Sequence, residues 1–295
     1  MCIVKEVQGA RKPHTLMVFS WSGTLVNVIK LIYVEDLEKG DAMDNKLKER
    51  FMERWGTYFP GISLPIVFFY SDNEKDASRV KGPKDVTEHR CVIADIARAA
   101  KGRSLAFDVS SLGCEGGKRY LGFSEVLRPN FEYFLSYGIP GEMEGERYKK
   151  SPEFVTETMK TSPKFEAPAP FIIFKPWDMI NEDENPDAVI FFGTPDVISG
   201  LFTLANYDEG EPNGVFSPFG AGCSTIVTYP YLENRSARPR CVLGMFDISA
   251  RPCVAANTLT FAAPFDKFVR MVDNMDESFL AMESWRIVKR RLARS

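Results

Sequence analysis

Cysteine is the residue type whose placement in this 295-residue chain could support chemistry. Cys114 is followed by Glu-Gly-Gly, and Cys223 is preceded by Gly-Ala-Gly. Glycine at such turns lets backbone N–H groups approach a sulfur atom closely, and converging N–H donors lower the pKa of a thiol. The resulting thiolate binds a metal ion or an iron–sulfur cluster, or attacks an electrophile. We therefore predict that Cys114 and Cys223 are metal ligands.

Two further cysteines are candidates to complete a set of four thiolates. Cys91 lies on a predicted helix, and Cys241 opens a predicted strand. Cys253 follows an Arg-Pro pair and is the cysteine that we least expect in a site. The alternative is that all of them are buried structural thiols, because free cysteine often behaves as a small apolar residue. The chain also contains no Cys-x-x-Cys pair, the strongest local signature of zinc and cluster sites.

A second hypothesis is a binding or sensor module without catalytic activity, with a small anionic ligand in a cleft. The N–H groups of four glycines beside the cysteines could contact the anion, namely Gly116, Gly117, Gly220 and Gly222. Asp247 and Arg251 follow the strand predicted at "CVLGMFD". Arg251 either binds a ligand carboxylate or phosphate, or pairs with Asp247 and braces the loop.

The sequence identifies no catalytic residue and leaves enzymatic activity undecided. Only two histidines occur, His14 and His89, and side chains two residues apart on a helix, such as His89 and Cys91, do not face each other. The chain has no Gly-x-Ser-x-Gly, Walker or His-Glu-x-x-His motif. A thiol-nucleophile enzyme is therefore the least supported hypothesis.

Composition limits the partners that we expect. The formal net charge of −3 argues against nucleic-acid binding, which usually requires a basic surface. No run of about 18 apolar residues predicts a membrane span. Six cysteines scattered over a chain of this length are typical of reduced thiols in the cytoplasm. The expected partner is a small anionic ligand or a redox partner.

Residues 1–42 differ from the rest because they show no clear amphipathic period. They end in "EKGDA", which can be encoded by a purine-rich, ribosome-binding sequence immediately before Met43. We expect Met43 to be the biological start and residues 1–42 to be a mis-assigned extension. The alternative is a genuine, loosely attached extension.

Residues 43–295 predict one α+β domain made of two similar α/β halves, about 43–140 and 168–264, closed by C-terminal helices over 265–293. The strands "LPIVFFY" and "APFIIFKP" open the halves, and a strand at "STIVTYP" is also predicted. The turns "VSSLGC" and "FSPFGAGC" occupy similar places, which suggests an internal duplication or a chance likeness. A duplication would place Cys114 and Cys223 at one cleft, with Cys91 or Cys241 as the next nearest thiol.

Several segments together resemble a known family, the uncharacterised ArCR proteins with domain of unknown function 169. They are "CVIADIARAAKG", "LGCEGGKRYLGF", "ERYKK", "FGAGCSTIVTYP", "GMFDISARP" and "DNMDESFL". The resemblance extends from Met43 nearly to the C-terminus and does not include residues 1–42. It implies no particular activity. Because many hosts of this family are anaerobic bacteria and archaea, the resemblance favours a thiol-based or oxygen-sensitive role.

Overall fold

The computed structural model describes residues 45–83 and 90–294. These residues belong to one compact unit, Gly40–Ser295. The extension predicted over residues 1–42 lies outside the described residues, and so does His89. Within the described part of the chain, no helix has the length and apolar character needed to cross a membrane.

The described residues form strands and helices that alternate along the chain. The strands are β1 (Ile66–Ser71), β2 (Ser78–Arg79), β3 (Leu105–Phe107), β4 (Gly138–Ile139), β5 (Met143–Glu144), β6 (Phe171–Pro176), β7 (Ala188–Gly193), β8 (Val215–Phe216), β9 (Cys241–Gly244) and β10 (Leu259–Pro264). The α-helices are α1 (Asn45–Tyr58), α2 (Val92–Ala99), α3 (Glu115–Tyr120), α4 (Phe131–Phe134), α5 (Pro152–Thr161), α6 (Pro195–Ala205), α7 (Tyr229–Glu233), α8 (Phe265–Asn274) and α9 (Glu283–Leu292). A π-helix, Ser224–Thr228, leads directly into α7.

Eight of the strands form one mixed sheet in the order β2-β3-β6-β1-β7-β10-β9-β8. The outer pairs, β2–β3 and β8–β9, are parallel, and the other neighbours whose pairing is resolved are antiparallel. We call β2-β3-β6-β1 the first block and β8-β9-β10-β7 the second block. In each block, the strand that comes first in the chain lies at the centre of the sheet (β1 or β7), and the next strand lies at the edge (β2 or β8). A helical segment then leads to the parallel neighbour of the edge strand, β3 or β9. The two blocks therefore share one topology and meet at β1 and β7.

The α+β class predicted from the sequence is confirmed, but the repeated topology has different boundaries from the predicted halves. Strand β6 was expected to open the second half, and it lies in the first block. The position of β1 in the first block corresponds to that of β7 in the second block. In the two halves predicted from the sequence, β1 corresponded to β6 instead. Internal duplication itself stays a prediction.

Helices cover both faces of the sheet, and each face has its own apolar core. One core contains the buried sides of α1, α6, α8 and α9. The other contains α2, the π-helix and α7, together with Ile66, Phe68 and Phe174 of the sheet. Because alternate strand residues point to opposite faces, neighbours in one strand enter different cores. Cys241 lies in the first of these cores and Val242 in the second.

The strand predicted at "STIVTYP" is wrong, because this segment forms the π-helix and the start of α7. All five residues of the π-helix are buried. A short, fully buried apolar run has no periodicity that separates a strand from a helix, and its β-branched residues favoured the strand. A π-helix is rare and is frequently found at functional sites.

Candidate functional site

Cys91 immediately precedes α2 and occupies the N-cap position of that helix. The Cys91 side chain makes no capping hydrogen bond, and the N–H of Ala94, in the first turn of α2, donates to the Cys91 carbonyl oxygen at 3.1 Å. The thiol also lies close enough to that of Cys253 for the two to interact directly. The start of α2 therefore places Cys91 beside a cysteine from a distant part of the chain.

Cys114 occupies the N-cap position of α3, and its sulfur accepts a hydrogen bond of 3.0 Å from the N–H of Gly117. The N–H of Val92, the first residue of α2, also lies against this sulfur. A Cβ atom at Gly117 would lie 3.0 Å from Cys114 Sγ, so glycine permits this close approach. The N–H group of Gly117, predicted to face an anion, instead donates to the sulfur of Cys114.

Cys223 begins the π-helix and is 6% exposed. The thiols of Cys114 and Cys91 are near enough to affect its charge, and so is the carboxylate of Asp247. The Asp247 carboxylate accepts a hydrogen bond of 3.0 Å from the N–H of Gly222, next to Cys223. The structure thus brings Cys114 and Cys223 to the same region, together with Cys91.

Cys253 ends a short 3-10 turn, Arg251–Cys253, which contacts α2. It packs against the same apolar core as Cys91 and Cys223. We call Cys91, Cys114, Cys223 and Cys253 the cysteine quartet. Cys253 was the cysteine least expected in a site, yet the structure places it beside Cys91.

Cys241 does not join the quartet. It is fully buried in the core on the opposite face of the sheet, with its sulfur 3.7 Å from Met271 Sδ. Burial raises the pKa of the Cys241 thiol far above its usual range. Of the four metal ligands predicted from the sequence, Cys91, Cys114 and Cys223 therefore lie near one another and Cys241 does not. Cys253 is the fourth cysteine of this region.

The quartet has two members from each block, at corresponding positions. Cys91 begins the helix between β2 and β3, and Cys223 begins the helical segment between β8 and β9. Cys114 and Cys253 end two similar sequences, "FDVSSLGC" after β3 and "FDISARPC" after β9. In both, the aspartate accepts a hydrogen bond of 2.7 Å from the serine two residues later. The interactions cross between blocks, because Cys91 meets Cys253 and Cys114 lies near Cys223.

The residues proposed for anion binding have partners within the protein. The Arg251 guanidinium donates to the carbonyl oxygens of Thr258, Ala255 and Ala256, and so holds the loop that follows it. Asp247 accepts from Gly222 and Ser249, so the side-chain pairing of Asp247 with Arg251 is not observed. Anion binding stays a prediction.

A narrow crevice lies beside Cys223. It has a volume of about 10 Å³, roughly one water molecule, and is lined by Tyr120, Ser162, Pro163, Phe219, Gly220, Ser224, Thr228 and Tyr229. Tyr120 is close to Cys223, and burial raises the pKa of its hydroxyl to about 12. The segment Glu146–Lys150 contacts this region, because Lys149 Nζ lies over the Phe219 ring at 4.2 Å. Gly116, in the first turn of α3, does not line the crevice.

Comparison with known proteins identifies the family. Residues 63–274 match DUF169, described as uncharacterised ArCR. The chain belongs to the DUF169 family. The matched range runs from just before β1 to the end of α8 and includes the whole quartet. No curated protein and no solved structure matched the chain.

Three thiols of the quartet do not have the properties of activated nucleophiles. Burial raises the pKa of Cys114 and Cys223, and it raises the pKa of Cys91 to about 11. The N–H groups that lower these values are outweighed by burial. Among the described residues, no group of three or more His, Cys, Asp or Glu side chains is arranged to hold a metal ion.

We expect Cys91 of the metal-free, reduced protein to react slowly with iodoacetamide at neutral pH. Its pKa is raised from 9.0 to about 11, so its thiolate fraction at pH 8 is roughly 100-fold below that of an ordinary thiol. The alkylation rate should rise about tenfold per pH unit up to about pH 11. Peptide mass spectrometry measures the rate, with the unfolded chain as control. A plateau below pH 9 would contradict this pKa.

Proposed function

We propose that this DUF169 protein binds an iron–sulfur cluster through the thiolates of the cysteine quartet. The observation that carries the proposal is the placement of Cys91, Cys223 and Cys253 in or against one core of the sheet, with Cys114 near Cys223. Four cysteine thiolates are the usual ligands of [2Fe–2S] and [4Fe–4S] clusters. The quartet supplies this number without a Cys-x-x-Cys pair, because the sheet topology brings distant segments together.

Backbone N–H groups around the sulfurs support a negatively charged group at this position. Gly117 donates to Cys114 Sγ, and Cys91 occupies the N-cap position of α2. Helix N-termini favour negative charge, and hydrogen bonds to cluster sulfurs tune the reduction potential. In the cluster-free protein, backbone N–H groups only partly offset the rise in thiol pKa that burial causes. Iron bound to the sulfurs would supply the remaining stabilisation of the thiolates.

The arrangement of the quartet suits a cluster better than a single ion. Thiolates that share one tetrahedral ion have metal–sulfur bonds of about 2.3 Å, so their sulfurs must converge closely. In the described residues no group of three such side chains is arranged for one ion. In a [4Fe–4S] cluster each iron binds one cysteine, so the four ligands of such a cluster are more widely spaced than the ligands of one ion.

The surroundings favour electron transfer. Cys91, Cys223 and Cys253 pack among apolar side chains that include Val92, Ile93 and Met245, and Tyr120 lies near Cys223. A mostly apolar shell limits water near the cluster and helps to set its potential. When bound, the cluster would accept and release one electron at a time, and a redox partner would exchange that electron. Such a protein would operate in a reducing cytoplasm.

Anaerobic reconstitution tests the proposal. The reduced protein is incubated with ferrous iron and sulfide, desalted, and analysed for bound iron, acid-labile sulfide and visible absorbance. We expect stoichiometric iron and sulfide in the wild-type protein and in Cys241→Ser, and neither in the variant with serine at all four quartet positions. A colourless wild-type protein, or one that takes up only zinc, would contradict the proposal.

A further inference from the structure

We infer that Cys91 and Cys253 form a reversible disulfide in the cluster-free protein, which makes cluster binding dependent on redox state. The regulatory part of this inference rests on the proposed function, because the disulfide would withdraw two of the four ligands. The disulfide itself follows from the geometry around the two thiols and can be tested without iron.

The structure holds the two segments that carry these thiols against each other. The turn Arg251–Cys253 contacts α2, the helix that Cys91 caps, and both cysteines pack against the same apolar core. Cys253 lies near enough to affect the charge of the Cys91 thiol. Gly222 fixes this contact from the side: a Cβ atom there would lie 3.0 Å from Ala250 Cβ and 3.5 Å from Ile93 Cγ1. Neighbours of the two cysteines, Ile93 and Ala250, therefore pack closely against one glycine, which keeps the two segments together.

The exposure and the hydrogen bonds of the four thiols favour a disulfide between Cys91 and Cys253 over one between Cys114 and Cys223. Cys91, Cys114 and Cys253 are partly exposed, whereas Cys223 is buried. The sulfur of Cys114 accepts the 3.0 Å hydrogen bond from Gly117, which holds it at the start of α3. Both thiols of the Cys91–Cys253 pair are therefore accessible to a small oxidant, whereas the alternative cross-block pair includes the buried Cys223.

A small-molecule disulfide is sufficient as the oxidant. One protein thiolate attacks it, forming a mixed disulfide and releasing one small thiol. The second protein thiolate then attacks the mixed disulfide at the protein sulfur and releases the other small thiol. In balance, two protein thiols and one small disulfide give one protein disulfide and two small thiols. The protein loses two electrons, and both thiol protons end on the released thiols.

The experiment uses the full-length, cluster-free protein and oxidised glutathione as the oxidant. After equilibration and acid quenching, peptides are mapped by mass spectrometry without reduction. We expect a Cys91–Cys253 peptide in the wild-type protein and in the matched control Cys241→Ser. It should be absent from Cys91→Ser and from Cys253→Ser. Glutathione adducts without an internal link, or a dominant Cys114–Cys223 link, would overturn the inference.

Iron uptake by the same samples tests the regulatory part. The oxidised wild-type protein should take up little iron and sulfide until dithiothreitol is added. Undiminished uptake by protein in which the disulfide has been mapped would overturn the proposed regulation. The fully reduced protein serves as the reference: if it binds no cluster, the proposed function fails, whereas the mapped disulfide still stands.

Discussion

Serine in place of Cys253 should remove most of the iron from the reconstituted protein, whereas serine in place of Cys241 should leave the iron content unchanged. Cys253 lies beside Cys91, and Cys241 is buried on the other face of the sheet. Replacing a residue that contacts a metal ligand, without binding the metal itself, lowers metal affinity about 10–100-fold. The loss of a ligand should cost at least as much. Competition with a chelator measures the affinity.

This comparison discriminates between the structure and the sequence-based ligand set, which contained Cys241 and not Cys253. Serine at Cys91, Cys114 or Cys223 should resemble serine at Cys253. Circular dichroism and denaturant unfolding verify that each variant is folded. Equal iron content in Cys253→Ser and wild type, or a loss of iron specific to Cys241→Ser, would disagree with the assignment of the quartet.

Methionine in place of Lys175 should destabilise the protein by about 3–5 kcal/mol, the usual cost of leaving a buried charge without its partner. Lys175 lies in β6 with its side chain 2% exposed, and its Nζ is 2.6 Å from Glu184 Oε1. The Glu184 side chain is fully buried and also accepts a hydrogen bond of 2.9 Å from the N–H of Asn181. Without Lys175, this carboxylate must stay charged in an apolar environment or take up a proton. The free energy of unfolding in urea measures the effect.

Two variants serve as controls for Lys175→Met. The double variant Lys175→Met/Glu184→Gln removes the unpaired charge and keeps an acceptor for Asn181, so it should recover part of the lost stability. Lys75→Met breaks an exposed ion pair with Asp183, next to Glu184, and should change stability little. A Lys175→Met protein as stable as wild type would show that burial of this pair does not contribute as described.

Much of the fold could be predicted from local sequence patterns. Helix α6 begins after Thr194 with Pro195, as the capping pattern predicts, and the strands of strongly apolar character form the centre of the sheet. Within the range 265–293, where C-terminal helices were predicted, α8 ends at Asn274 and α9 begins at Glu283. The π-helix was missed because its residues are buried on all sides, so that no periodic pattern remains.

The quartet could be predicted only in part. The glycines beside Cys114 and Cys223 drew attention to those residues, whereas Cys253 follows a proline and resembles an ordinary turn. The signal that identifies Cys253 is the likeness of "FDISARPC" to "FDVSSLGC", which pairs it with Cys114. The place of Cys241 depends on strand alternation: it and Val242 point into opposite cores, and the apolar sequence of β9 does not show which core holds the other thiols.

X-ray absorption at the iron edge of the anaerobically reconstituted protein tests the central claim most directly. An iron–sulfur cluster held by the quartet predicts a first coordination shell of sulfur alone and an iron–iron distance characteristic of a cluster. The spectrum should be unchanged in Cys241→Ser and absent in the variant with four serines. A first shell of nitrogen or oxygen atoms, or isolated iron without an iron neighbour, would contradict the account.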